Sequence, residues 1–225
     1  MLIFKAIKVF IAHYKRVGMS LTSLAQFIYY NFVCKRVKSN FANGSVLIPY
    51  KNCHISIAKD AILVLEGPFF LGIPSLPGSR KNTYLVLNDK SKLIIRRSCR
   101  IIDDSSILLY KNAYLDIGDF HSNTDLEINC GDKIILNGEI TCGRHVRIKD
   151  YNGHYVSYEN YPKSAPVIID NHVWLCTGTT VNPGVHIYEG CVIGDNANVV
   201  TDVPANTFSI GNPACIVKEK IQFSI

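Results

Sequence analysis

From Ile169 onward the chain can be cut, without a gap, into six hexapeptides: IDNHVW, LCTGTT, VNPGVH, IYEGCV, IGDNAN and VVTDVP. The first position is always aliphatic (Ile169, Leu175, Val181, Ile187, Ile193, Val199). The fifth is small or β-branched (Val173, Thr179, Val185, Cys191, Ala197, Val203). A unit of six is one short strand plus a corner, and three units close a triangular coil. The aliphatic residue points into the coil and stacks on its equivalent in the next. The fifth residue is expected to turn the corner, and successive coils pair in parallel at ~4.8 Å. No coil buries its face alone, so repetition itself builds the core.

The same period heads Ile128, Ile134, Ile140 and Val146 upstream. The step from Val146 to Ile169 is one short of a multiple of six, so the phase breaks within 151–166, YNGHYVSYENYPKSAP. That segment reads as a loop thrown out of the coil wall, and loops on rigid scaffolds are where chemistry concentrates. Before residue 128 the repeat is looser, with Leu87, Leu93, Ile101, Ile107 and Ile117 suggesting further coils, and GPFFLGIPSLPG (67–78) reads as an excursion. Residues 2–17 and 20–35 carry spacings suited to two short helices separated by Gly18. Three regions are expected: a basic, amphipathic helical segment over 1–40, the coil over 41–204, and a strand and tail over 205–225.

Charge sharpens the division. The net charge is +6, yet residues 1–38 hold Lys5, Lys8, Lys15, Arg16, Lys35, Arg36 and Lys38 and no acid, leaving 17 basic against 18 acidic side chains in the rest. The basic character belongs to one end. It suits the anionic inner face of a bacterial membrane, although helices there could equally cover the open end of the coil. No nucleic-acid partner is expected. The amino terminus lacks a clean signal-peptide core, and no apolar run approaches the ~18 residues of a membrane span, so a cytoplasmic protein is expected. The eight cysteines include no CxxC pair. Cys142, Cys176 and Cys191 fall inside repeats where a compact apolar residue is wanted, which reads as reduced, structural thiols.

With the loop and repeat placed, the chain resembles the hexapeptide-repeat acetyltransferases, in particular those acting on sugars and surface polysaccharides (maltose, galactoside, capsule and O-antigen acetyltransferases). The resemblance rests on IKDYNGH (148–154), PVIIDNHVWL (166–175), NPGVHI (182–187), DVP (202–204) and GNPA (211–214), and covers about residues 115–220. It implies an all-β fold, a left-handed parallel β-helix of hexapeptide repeats with a short α-helical amino-terminal appendage. It also implies a homotrimer that binds acetyl-CoA between subunits and a carbohydrate acceptor. The loop histidine of that family is the general base, which here is His154, with Asp150 placed to orient it or contact the acceptor. Trp174, Thr177, Asp195, Thr201 and Lys218 occupy the positions that line the coenzyme. Thr201 stands where relatives carry a basic residue, so one phosphate contact is missing. Relatives also begin most coils with Ile-Gly, whereas here they begin Ile169-Asp170, Leu175-Cys176 and Ile187-Tyr188.

The implied chemistry is direct transfer. An imidazole takes the proton of a hydroxyl as its oxygen attacks the thioester carbonyl, and a backbone N–H at a coil corner stabilises the oxyanion. Alternatives are transfer to an amino sugar or other small amine, and a non-catalytic scaffold. A trimeric carbonic anhydrase on the same coil would need three zinc-binding histidines. His145, His154 and His172 do not keep that spacing, and no metal is expected. The remaining histidines (13, 54, 121, 145, 172 and 186) read as surface residues.

Overall fold

A computed structural model describes residues 11, 20–154 and 163–224. The chain winds as a three-faced, left-handed parallel β-helix, and the coil begins at Val37 and runs to Ile210. One face is a seven-stranded parallel sheet from Cys53–Ile57 to Asn198–Val199; the other two share a fourteen-stranded sheet. The aliphatic row lies inside throughout. Leu63, Leu93, Leu115, Ile134, Val167, Ile187 and Val199 are all buried in one continuous core, which is what a coil with no flat interior side requires.

Register converts the irregular sequence into coil lengths. Along one face Leu63, Leu93, Leu115, Ile134 and Val167 pair in succession, so each step is one turn of the coil. The next step, Ile168 to His186, is three hexapeptides with nothing added. The steps from Leu63 to Leu93 and from Ile134 to Val167 are much longer, and each holds an insertion. One insertion is the loop after Asp150. The other occupies 74–82, not 67–78 as the proline and glycine content suggested: Phe69–Ile73 is a strand whose Phe69 and Leu71 are buried. Its Gly72 sits at φ +77°, where the pairing register slips, and a Cβ there would lie 2.5 Å from Cys53 Sγ. Gly67 and Gly72, which read as loop, are therefore packing glycines, while Gly78 lies in the insertion itself.

The corners also differ from expectation. In the regular region they are turned at the fourth position of the hexapeptide, where His172, Gly178, Gly184, Gly190 and Asn196 have positive φ. The fifth residue follows the turn, at or just before the start of the next strand, and Val173, Thr179, Val185, Cys191, Ala197 and Val203 are all buried. Small or branched side chains are selected there by the narrow interior, not by the turn.

At the amino-terminal end, helix α1 (Leu21–Ile28) is capped by the Ser20 hydroxyl on the Ser23 N–H and runs into a π-helical turn, Tyr29–Val33. It ends before residue 35 because the chain turns into the strand Val37–Lys38; the other expected helix, 2–17, lies outside the described residues except for Ile11. The helix closes the open edge of the coil. Gln26, Tyr30 and Arg36 donate to the carbonyls of Cys53, Ile55 and Ile57, the alternate carbonyls of an edge strand that no other strand among the described residues covers. Phe27 packs with Val46, Ile48, Tyr50 and Phe70. At the far end the coil does not stop at Pro204: Thr207–Ile210 adds one more parallel strand, and Cys215–Glu219 folds back antiparallel upon it. All eight cysteines are unpaired thiols, six of them buried.

Candidate active site

The loop leaves the coil after Arg147–Lys149 and returns into Val167–Ile169. Its base is a short antiparallel clasp. Asn152 N–H donates to Lys163 C=O, Ala165 N–H donates to Asp150 C=O, and Tyr151 bridges Ser164. The Tyr151 ring rests against Tyr110 at 5.1 Å, and its hydroxyl donates to the Gly153 carbonyl at 2.9 Å. Lys163 lies over the same ring, 5.4 Å from its centre. His154 follows directly, exposed, its N–H donating to Asn152 C=O at 2.8 Å. Its imidazole has no hydrogen-bond partner among the described residues, which leaves both ring nitrogens open to a ligand.

Asp150 does something other than expected. Its side chain is fully buried, and its carboxylate accepts from the backbone N–H groups of Gly131, Asp132 and Lys133, with the Cys130 thiol at 3.6 Å. An ionised carboxylate taking three backbone donors at a turn is a strong anchor. Asp150 therefore pins the point where the loop departs to the corner of the preceding coil. It does not hydrogen-bond to His154.

The residues expected to face the coenzyme fall on two features. Across one face, Thr141, Trp174, Val192 and Phe208 pair in line, and Phe208 pairs with Lys218 of the folded-back strand. Trp174 is 41% exposed, pointing outward, with Phe223 at 6.4 Å. Trp174 and Lys218 thus stand on one outward row, three strand steps apart. At the neighbouring corner Asp195 accepts the Thr177 N–H at 2.9 Å, so these two meet each other. Thr201 is exposed at a separate corner and the structure brings it to none of the others.

Three histidines that read as plain surface residues have carboxylate partners. His145 meets Asp125, and His172 meets Glu139 at 3.3 Å while also contacting the Phe223 carbonyl. His186 Nε2 lies 2.9 Å from Asp170 Oδ2, and Asn137 donates to the other Asp170 oxygen at 2.9 Å. The His186 ring stacks on Tyr188 with centres 3.8 Å apart. A signal for the pair exists in the sequence: the separation of Asp170 and His186 falls just short of three hexapeptides, which places them on adjoining coils.

No family model matches the chain. The chain is 34% identical over 118 residues to the galactoside O-acetyltransferase of Lactococcus lactis, covering 51% of this chain and 56% of that protein. It is 30% identical over 114 residues to the galactoside O-acetyltransferase of Escherichia coli K12, covering 49% and 50%. Among solved structures it is similar to a hexapeptide-repeat acetyltransferase of Vibrio cholerae complexed with acetyl-coenzyme A, at 25% identity over 48% of this chain and 61% of that one, with a TM-score of 0.43. That superposition is too loose to transfer positions. Over about half of its length the chain is thus similar in sequence to galactoside O-acetyltransferases. The chain spans about half the length of the curated relatives it matches.

Proposed function

We propose that the protein transfers an acetyl group from acetyl-CoA to a hydroxyl of a sugar or of a bacterial surface polysaccharide, with His154 as general base. The observation that carries this reading is the His154 imidazole itself, exposed and unpartnered among the described residues, on a loop whose base is clasped and whose exit is anchored by Asp150. A general base needs an open ring nitrogen, and the exposed ring supports reading His154 as that base. The acceptor hydroxyl gives its proton to His154 as its oxygen attacks the thioester carbonyl. A backbone N–H receives the oxyanion, and the thiolate departs with the proton returned. Bound acetyl-CoA would supply the activated acyl group, and Trp174 and Lys218 on their shared row, with Thr177, Asp195 and Thr201 at the corners, are the residues proposed to hold it.

The active unit is proposed to be a homotrimer. The outward side of α1 keeps Leu21, Leu24 and Ile28 exposed, with Lys35 and Lys38 following. It is proposed to rest on anionic lipid at the cytoplasmic face of the membrane; full-length protein that fails to float with anionic liposomes would sink this. No helix among the described residues is long and apolar enough to cross a membrane. The reaction is tested by thiol release from acetyl-CoA over a panel of sugars, amino sugars and purified glycans. Turnover with hydroxyl acceptors supports the reading. Turnover only with free amines replaces it by N-acetyl transfer, and no turnover together with no coenzyme binding points to a scaffold.

A further inference from the structure

Beside the loop, the outer side of one coil face carries a group of charged residues that acetyl transfer does not use. Asp116 is buried there to 4% exposure, although its strand side faces outward. It accepts from Arg96 Nε at 2.7 Å and from Arg96 Nη2, and the Tyr114 hydroxyl donates to it at 2.8 Å. The forked contact fixes the plane of the guanidinium. It leaves Nη1 with no hydrogen bond among the described residues, and the Arg96 side chain is half exposed. Burial and Asp116 push the Tyr114 hydroxyl up, so it remains a donor.

Two further cations bracket this group by strand register. Tyr114 pairs with Lys92 on one neighbouring strand and with Lys133 on the other. Lys92 Nζ lies 5.9 Å from the Tyr114 ring centre, and both lysines are exposed without an ion pair among the described residues. Asp116 is neutralised by Arg96, and Asp170 at the margin is taken up by Asn137 and His186. Glu66 also acts on Arg96, whereas Lys92 and Lys133 stay exposed with no carboxylate bonded to them among the described residues. Arg96, Tyr114, Asp116, Lys133, Ile135 and Asn137 line a shallow groove of about 500 Å³, within the range of small-ligand sites. Lys133 in its lining is tied by its N–H to Asp150, the residue from which the loop departs. The groove runs along the coil axis, crossing strands at ~4.8 Å intervals.

We propose that this groove docks an acidic glycan acceptor, its carboxylates met by Lys92, Lys133 and the free edge of Arg96, and its sugar face by Tyr114. The proposal rests on the sugar-acetylating reading above and narrows its acceptor to a polyanion. An open furrow fits an extended chain, and fixed cations at strand intervals fit charges repeated along it. Arg96 is presented rigidly because Asp116 is there to hold it.

The test is calorimetric titration of the full-length protein with a galacturonate hexamer and with maltohexaose, at low and high salt. The uronate hexamer is expected to bind at least ~10-fold more tightly than the neutral one, and to weaken as salt rises. The Lys92→Ala/Lys133→Ala double variant should lose ~10-fold or more of that binding while melting within ~2 °C of wild type. Both lysines are exposed, so the variant should fold. Coenzyme A titrated into the wild-type protein separates failure of this proposal from failure of the catalytic one: coenzyme binding without preference for the uronate overturns only this proposal. Equal affinity for the two hexamers, no binding of the uronate, or unchanged binding by the double variant would overturn it. So would a double variant that loses coenzyme A instead, because the cations would then serve the coenzyme phosphates.

Discussion

The two halves of the coil solve one geometric problem with different residues. Between Val167 and Val199 the strands are short, and two of the corners, Gly178 and Gly190, are glycines stacked under an asparagine of the next coil. A Cβ on Gly178 would collide with Asn196 Oδ1, and one on Gly190 would collide with Asn206 Oδ1. Between Cys53 and His121 the strands are longer, and Asn52, Lys90, Asp104, Asn112 and Asp125 take the positive-φ positions. Both halves share one interior. The difference lies outside: the short-stranded half bears the loop, the tryptophan row and the corner contacts, while the longer strands present the broader face with Lys92, Arg96 and Tyr114. Corner chemistry suits the reaction, and strand faces suit the recognition of an extended acceptor.

The largest effect is expected at the junction of the halves. Asp150→Asn keeps one acceptor oxygen but turns an amide donor toward backbone donors, and should cost about 3 kcal/mol or more; urea unfolding measures it. A variant as stable as wild type would mean the two halves are not joined through that carboxylate. If the interior is continuous, Leu93→Ala and Leu175→Ala, both fully buried, should each cost about 2–5 kcal/mol in a single unfolding transition. Two separate transitions would break the picture of one core.

The corners should separate the halves. Gly190→Ala combines a φ of +73° with the close approach of Asn206, and should cost about 1–3 kcal/mol. Asn112→Ala, at φ 65°, should lose only about 1 kcal/mol. Thermal melts of the pair read the contrast directly.

The smallest effect is alkaline. Burial pushes the Cys53 thiol up to about 12, and raises Cys99, Cys130 and Cys142 as well. A raised acid is stabilised only while protonated, so its contribution is whole below the unfolded thiol value near 9. It is lost as pH climbs toward the folded value. For Cys53 alone, the unfolding free energy should fall by at most about 1.4 kcal/mol per pH unit above pH 9, and Cys53→Ala should flatten that part of the slope.

How much of this could be read from the sequence follows the same division. The hexapeptides from Ile169 reveal coil, phase and loop because each residue there has one task. The earlier coils are fainter because longer strands and asparagine or lysine corners stretch each turn beyond three hexapeptides. Gly67 and Gly72 mislead because packing glycines and loop glycines look alike in a string. Asp150 misleads because its neighbour along the chain is the loop, while its neighbours in space are residues 131–133. The His186–Asp170 pair and the Arg96–Asp116 fork are contacts between coils, visible only once the register is known.

The most direct test is the rate of acetyl transfer by His154→Ala beside wild type, with coenzyme affinity measured on both. If His154 is the base, kcat should fall by at least ~10²-fold with coenzyme binding and melting temperature unchanged. Turnover retained in the variant would contradict that role and place the base elsewhere, with the Asp170-paired His186 the first residue to examine.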